Sequence, residues 1–289
     1  MKWLWENIGR EFQVGEVEQA VAAIIEKSSE LQSREWYELA LSCIDLTTLN
    51  STDSSVQGEK MATKVSGFPD KFPGLPNVAA ICVYPTLVDT VKKYLHAPGV
   101  KLASVSAGFP SSQTFTEVKV LETKMAVAKG AHEIDIVLNL GDFLTEDYPS
   151  VLNEISALKK ACTPAHLKVI LETGALKDYS KIWRASILSM QAGADFIKTS
   201  TGKLEPAATP EAAWVMCSAI KSYYEKTAVK VGFKAAGGIV DTTDALKYIA
   251  IVKEVLGEEW LNNKLFRIGA SRLANNLLTT ITRDTVVYF

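Results

Sequence analysis

Glu133-Ile134-Asp135-Ile136-Val137-Leu138-Asn139 alternates polar and aliphatic side chains, broken only at Val137. Side chains along a strand point to opposite faces with period two, so Ile134, Ile136 and Leu138 share one face and Glu133, Asp135 and Asn139 the other. The pattern recurs. Asp45 opposes Ile44 and Leu46, Lys168 and Glu172 oppose Val169 and Leu171, Lys198 and Ser200 oppose Ile197, and Lys234 opposes Phe233. Each of these runs asks for an apolar partner on one side and tolerates charge on the other.

Eight β-rich runs are spread along the chain: 41–49, 78–84, 101–107, 133–139, 166–172, 195–200, 230–235 and 265–269. Their starts lie roughly 23 to 37 residues apart, the length of one strand–helix unit. Helical signals fill the gaps. Thr114-Phe115-Thr116-Glu117 opens a helix that Gly130 closes, and Asp178 opens one ending near Gly193. Thr209-Pro210-Glu211 is a cap followed by Pro at the first helical position, and Thr242-Thr243-Asp244 opens another helix. Eight such units predict a closed (β/α)₈ barrel, with a doubly wound open sheet as the structural alternative. The 289 residues read as a single domain, with residues 1–37 an N-terminal helical extension of one or two helices placed to close the bottom of the barrel.

In a barrel the aliphatic phase meets the outer helices and the charged phase points inward. Interior charge on five strands is costly unless the groups pair or work together. Buried structural ion pairs would satisfy the pattern, but these charges converge on the strand ends, where barrel active sites lie.

Composition narrows the chemistry. A formal charge of −2 provides no footprint for nucleic acid or an anionic membrane, so an anionic small molecule needs a local site. No stretch is long and apolar enough for a membrane span. The run Ala20–Ile25 follows a Glu-rich stretch and is too short for a signal core. Cys43, Cys82, Cys162 and Cys217 are widely spaced and read as reduced, buried thiols, which favours the cytoplasm. His96, His132 and His166 lack ligand spacing, so no metal is expected. There is no GxGxxG, and Gly202-Lys203 is no P-loop, because Ile197 stands at the first Gly position and Leu204 at the Ser/Thr position.

Lys198 ends the sixth run, in Phe196-Ile197-Lys198-Thr199-Ser200-Thr201-Gly202-Lys203. An amine attacks a carbonyl only when neutral, and about one free lysine in a thousand is neutral near pH 7.4. Burial and a nearby second cation both lower a lysine pKa. Lys234 ends the neighbouring run, and adjacent parallel strands lie about 4.8 Å apart, so two inward lysines at one height feel each other. Asp45 and Asp135 supply balancing carboxylates, one of which can move protons. Gly202 with Lys203, Gly237-Gly238, and Gly269-Ala270-Ser271 close the last three runs. Late loops of this kind bind phosphate through backbone N–H groups.

These pieces resemble the class I deoxyribose-phosphate aldolases. The resemblance is carried by Asp45-Leu46-Thr47-Thr48-Leu49-Asn50, Ala80–Pro85, Glu133-Ile134-Asp135, Leu167–Gly174, Ala194–Lys203, Gly232-Phe233-Lys234 with Gly237-Gly238, and Arg267–Ser271. It implies reversible cleavage of 2-deoxy-D-ribose 5-phosphate to acetaldehyde and D-glyceraldehyde 3-phosphate without a cofactor. It implies Lys198 as Schiff-base nucleophile, Lys234 as its pKa partner, Asp135 as proton relay through a water, and Asp45 as support for Lys234. Gly202, Lys203, Gly237, Gly238, Gly269 and Ser271 would face the phosphate. Leu49, Cys82, Thr201 and Lys168 would contact the rest of the substrate. The chain departs from the family at Ala235, Val240 and Arg272, and Tyr288 is reminiscent of a tail tyrosine that reaches the site in some members. The partner is a small sugar phosphate, and a homo-oligomer, dimer or tetramer, is left open. A transaldolase-like Schiff-base barrel and a catalytically silent sugar-phosphate-binding barrel are the competing readings.

Overall fold

The computed structural model describes residues 8–289. Its eight strands are β1 (Ile44–Thr47), β2 (Ala80–Val83), β3 (Lys101–Val105), β4 (Glu133–Val137), β5 (His166–Ile170), β6 (Phe196–Lys198), β7 (Gly232–Ala236) and β8 (Phe266–Ala270). They close in sequence order into a parallel barrel, with β8 returning to β1. Each of the eight predicted runs overlaps a strand. Some predicted ends overshoot, since Leu41 and Ser42 finish the helix Arg34–Ser42 and Asn139 caps the helix Leu140–Leu144, while β7 and β8 each run one residue past the predicted end.

Helix boundaries follow the local chemistry. Asp178 accepts from the amides of Ser180 and Lys181, and Thr209 from that of Ala212, satisfying N–H groups that the first helical turn leaves free. The helix Thr116–Lys129 ends on Gly130 in the left-handed region, φ +113°. The helix Thr242–Leu256 starts at Thr242, where the Thr242-Thr243-Asp244 signal places it.

Residues 1–7 of the N-terminal extension lie outside the described residues. The helix Val14–Lys27 packs against the outer helices Pro210–Thr227 and Thr242–Leu256, burying Val17, Val21 and Ile24. Phe12 lies against Trp183 and Trp214.

The period-two reading holds for the packing. Ile134, Ile136, Leu138, Val169, Ile197 and Phe233 belong to the large core between strands and helices. The barrel interior divides into two halves. On β2 and β3, Ala80, Cys82, Ala103 and Val105 form a small separate apolar cluster with Leu49. The opposite wall, from β4 round to β1, holds the charges.

Candidate active site

Seven buried ionisable side chains meet inside the barrel. Lys198 and Lys234 are register partners on β6 and β7, and both donate to the same oxygen of Asp135, each at 2.9 Å. The other oxygen of Asp135 accepts from Lys168 at 2.9 Å. Asp45 takes Lys234 at 2.5 Å and Arg267 at 2.6 Å. Glu133 holds Lys168 at 2.6 Å and Arg267 at 2.7 Å. Three carboxylates therefore face four bases, and the cluster is electrically neutral only when one base has lost its proton.

The geometry selects Lys198 for that role. Burial lowers its pKa, Asp135 opposes the change, and Lys234 lowers it further; the net direction is down. Lys234 feels the same burial penalty, but Asp135 and Asp45 together outweigh it and raise its pKa. Lys168 goes up, against burial, through Asp135, Glu133 and Asp45. Arg267 goes up against burial through Asp45 and Glu133. Burial pushes the acids upward, but the surrounding cations win and hold Asp45, Asp135 and Glu133 below the usual carboxylate range. Among these four bases, Lys198 alone moves toward the neutral form.

Above the cluster a cavity of about 320 Å³ opens at the strand C-termini. Lys198 is on its floor, and Leu49, Thr201, Gly202, Lys203, Gly237, Gly238, Gly269 and Ser271 are on its walls. Gly202, Gly237 and Gly238 all have positive φ, which turns the loops over the mouth. Ser271 precedes the helix Arg272–Thr282, whose first amides are free to face an anion. Cys82 is fully buried in the apolar half-wall, where burial pushes its thiol up to about 11.

Two expectations need correction: neither Cys82 nor Lys168 lines the cavity. Lys168 is fully buried one layer down, committed to Asp135 and Glu133. The sequence leaves open whether Tyr288 reaches the site; in the fold it does not line the cavity. Its hydroxyl donates to the carbonyl of Lys64 at 2.6 Å and its ring lies against Phe68 and Phe72, while Asn275 accepts from the amides of Tyr288 and Phe289. Among the departures, Val240 and Arg272 both line the cavity, so Arg272 adds a cation at its rim.

Sequence reasoning missed three partners. The sequence offers Arg267 only within a motif, yet it joins β8 to Glu133 on β4 across the barrel. The phase of Glu133 turns it inward but names no partner for it. Glu172, the last polar-phase residue of its run, accepts from the amide of Thr201 at 3.0 Å and from its hydroxyl at 2.5 Å. Among the described residues, no group of three or more His, Cys, Asp or Glu is arranged to hold a metal ion.

The sequence pattern described as DeoC/LacD family aldolase matches residues 39–256. A Caenorhabditis elegans protein is 45% identical over 274 residues, covering 94% of this chain and 90% of that one. The human deoxyribose-phosphate aldolase is 41% identical over 275 residues, covering 88% and 86%. Among solved structures, the tetrameric deoxyribose phosphate aldolase from Aeropyrum pernix superposes with a TM-score of 0.66 at 26% identity, covering 89% of this chain and 96% of that one.

Proposed function

From the premise that the chain belongs to the DeoC/LacD aldolase family, we propose that it cleaves 2-deoxy-D-ribose 5-phosphate reversibly to acetaldehyde and D-glyceraldehyde 3-phosphate, with Lys198 as the nucleophile. The observation that carries the assignment is the charge count: three carboxylates and four bases, in which Lys198 alone is driven toward the neutral amine. The amine adds to the C1 aldehyde of the open-chain sugar and water leaves, giving an iminium ion. Removal of the C3 hydroxyl proton lets the C2–C3 bond break. D-glyceraldehyde 3-phosphate departs, and the C2 electrons remain as an enamine on Lys198. Protonation at C2 and hydrolysis then release acetaldehyde and the free amine. Asp135, bonded to both lysines, is placed to pass these protons through a water. Lys234 stays charged beside it, and Asp45 holds Lys234. The phosphate would lie against Gly202, Lys203, Gly237, Gly238 and Ser271, with Gly269 beneath it and Leu49 and Thr201 along the sugar. The chemistry needs no metal or organic cofactor.

No helix among the described residues is long and apolar enough to cross a membrane. The four cysteines are unpaired and buried, which supports a reducing cytoplasm as the site of action. A homo-oligomer, dimer or tetramer, completes the proposal; the related Aeropyrum pernix chain is tetrameric.

The test is trapping under chelation. With EDTA present, deoxyribose 5-phosphate should still be cleaved, and borohydride should fix the substrate carbon on a peptide containing Lys198. Labelling confined to another lysine, or activity that returns only on adding metal, would overturn the assignment.

A further inference from the structure

We propose that Glu172 is a positioning residue for phosphate recognition: through Thr201 it sets the turn that carries Lys203 to the cavity. The proposal deepens the reading of the cavity as a sugar-phosphate site and rests on it.

Glu172 follows β5 with φ +54° and ψ +59°, in the left-handed region that a non-glycine side chain rarely occupies. It is 5% exposed. Both of its oxygens are spent on one residue of the neighbouring loop, one on the Thr201 amide and one on its hydroxyl. The Thr201 hydroxyl, having given its proton to Glu172, accepts from the amide of Lys203 at 3.0 Å. Lys203 then reaches across the mouth, and its ammonium donates to the Leu49 carbonyl at 2.5 Å. One chain of hydrogen bonds thus runs from the end of β5 through the loop after β6 to the loop after β1.

A second contact holds the far end of the same loop. A Cβ on Gly174, two residues beyond Glu172, would sit 2.0 Å from the carbonyl oxygen of Pro206. The β5 turn therefore grips the loop at Thr201 with a carboxylate and at Pro206 by close backbone approach. Between these grips Gly202 to Glu205 are exposed, and this free arc carries the cation. Glu172 makes none of the contacts that link Lys198, Lys234 and Asp135, so its influence should fall on the phosphate end and not on imine formation.

The experiment compares Glu172→Gln and Glu172→Asn in the full chain; Asn tolerates the left-handed backbone well. Three quantities are read: KM and kcat for deoxyribose 5-phosphate, cleavage of unphosphorylated deoxyribose, and the rate at which borohydride fixes acetaldehyde on Lys198. Losing charged acceptors for two buried donors should raise KM for the phosphorylated sugar about tenfold or more, with a smaller fall in kcat. Trapping of acetaldehyde should stay within about twofold of wild type, because a tenfold change would already require a substantial altered interaction at the amine. Thr201→Val should raise KM similarly, and adding Glu172→Gln to it should bring little further loss, since residues in one hydrogen-bonded chain are not additive. An unchanged KM, or equal losses in all three readouts with a lowered Tm, would overturn the proposal. Wild-type protein that traps acetaldehyde yet fails to cleave deoxyribose 5-phosphate would instead overturn the substrate assignment, and this role with it.

Discussion

At the scale of single residues, the question is what makes Lys198 a nucleophile. Both causes anticipated from the sequence are present, but burial is the larger and Lys234 the smaller, with Asp135 working against them. The sign is definite. A lowered pKa means the neutral amine becomes abundant at a lower pH than for a free lysine, so imine formation should rise with pH through the folded value and level off above it. Lys234→Met removes a positive charge that opposes protonation of Lys198, so the rise should move to higher pH. Turnover near neutrality should fall by about two orders of magnitude or more if Lys234 also helps move protons. The pH dependence of borohydride trapping isolates the electrostatic part. A trapping profile in Lys234→Met that overlays the wild type would leave burial alone as the activating force. Lys234→Arg keeps the charge and should hold the profile closer to wild type than Met does, even with poor turnover.

At the scale of elements, the strands were legible because alternation is local: each run states its own two faces. The identities Asp45, Asp135, Lys198 and Lys234 followed from that phase. Partnerships across the barrel were not legible. Arg267 on β8 and Glu133 on β4 stand four strands apart in the barrel, and nothing in either run names the other. Lys168 shared the inward phase but stands at a lower level, which phase alone cannot tell. Glu172 was hidden because its task depends on a left-handed turn just past the strand. The glycines were legible as turns, but Gly269 does something else. A Cβ there would lie 2.9 Å from the Ala236 Cβ and 3.1 Å from the Lys234 Cε, so β8 gives up a side chain to let Lys234 lie across the interior toward Asp45. Gly269→Ala should cost about 1–3 kcal/mol of stability, as overpacked sites do. It should also displace the Lys234 ammonium, so kcat should fall more than KM changes. A variant with wild-type Tm and wild-type kcat would show that the strand has room to spare.

At the scale of the whole molecule, the barrel divides its charges by depth. The groups that tune Lys198 are nearly or fully buried, from 0% to 4% exposed. The cations at the rim, Lys203 and Arg272, are exposed. Dissolved ions distinguish these two sets. At physiological ionic strength the screening length is about 8 Å, and it shrinks further as salt is added, but counter-ions must approach a charge to screen it. They can gather around the rim; they cannot enter the packed interior. Added potassium chloride should therefore act as a dissecting reagent. Between ~0.05 and ~0.5 M it should raise KM for the phosphorylated sugar several-fold and leave the rate of acetaldehyde capture on Lys198 flat. Equal suppression of both would mean that solvent ions reach the buried cluster. The depth that holds one lysine neutral also insulates its chemistry from the ionic composition of the surrounding medium, while leaving affinity for the substrate open to it.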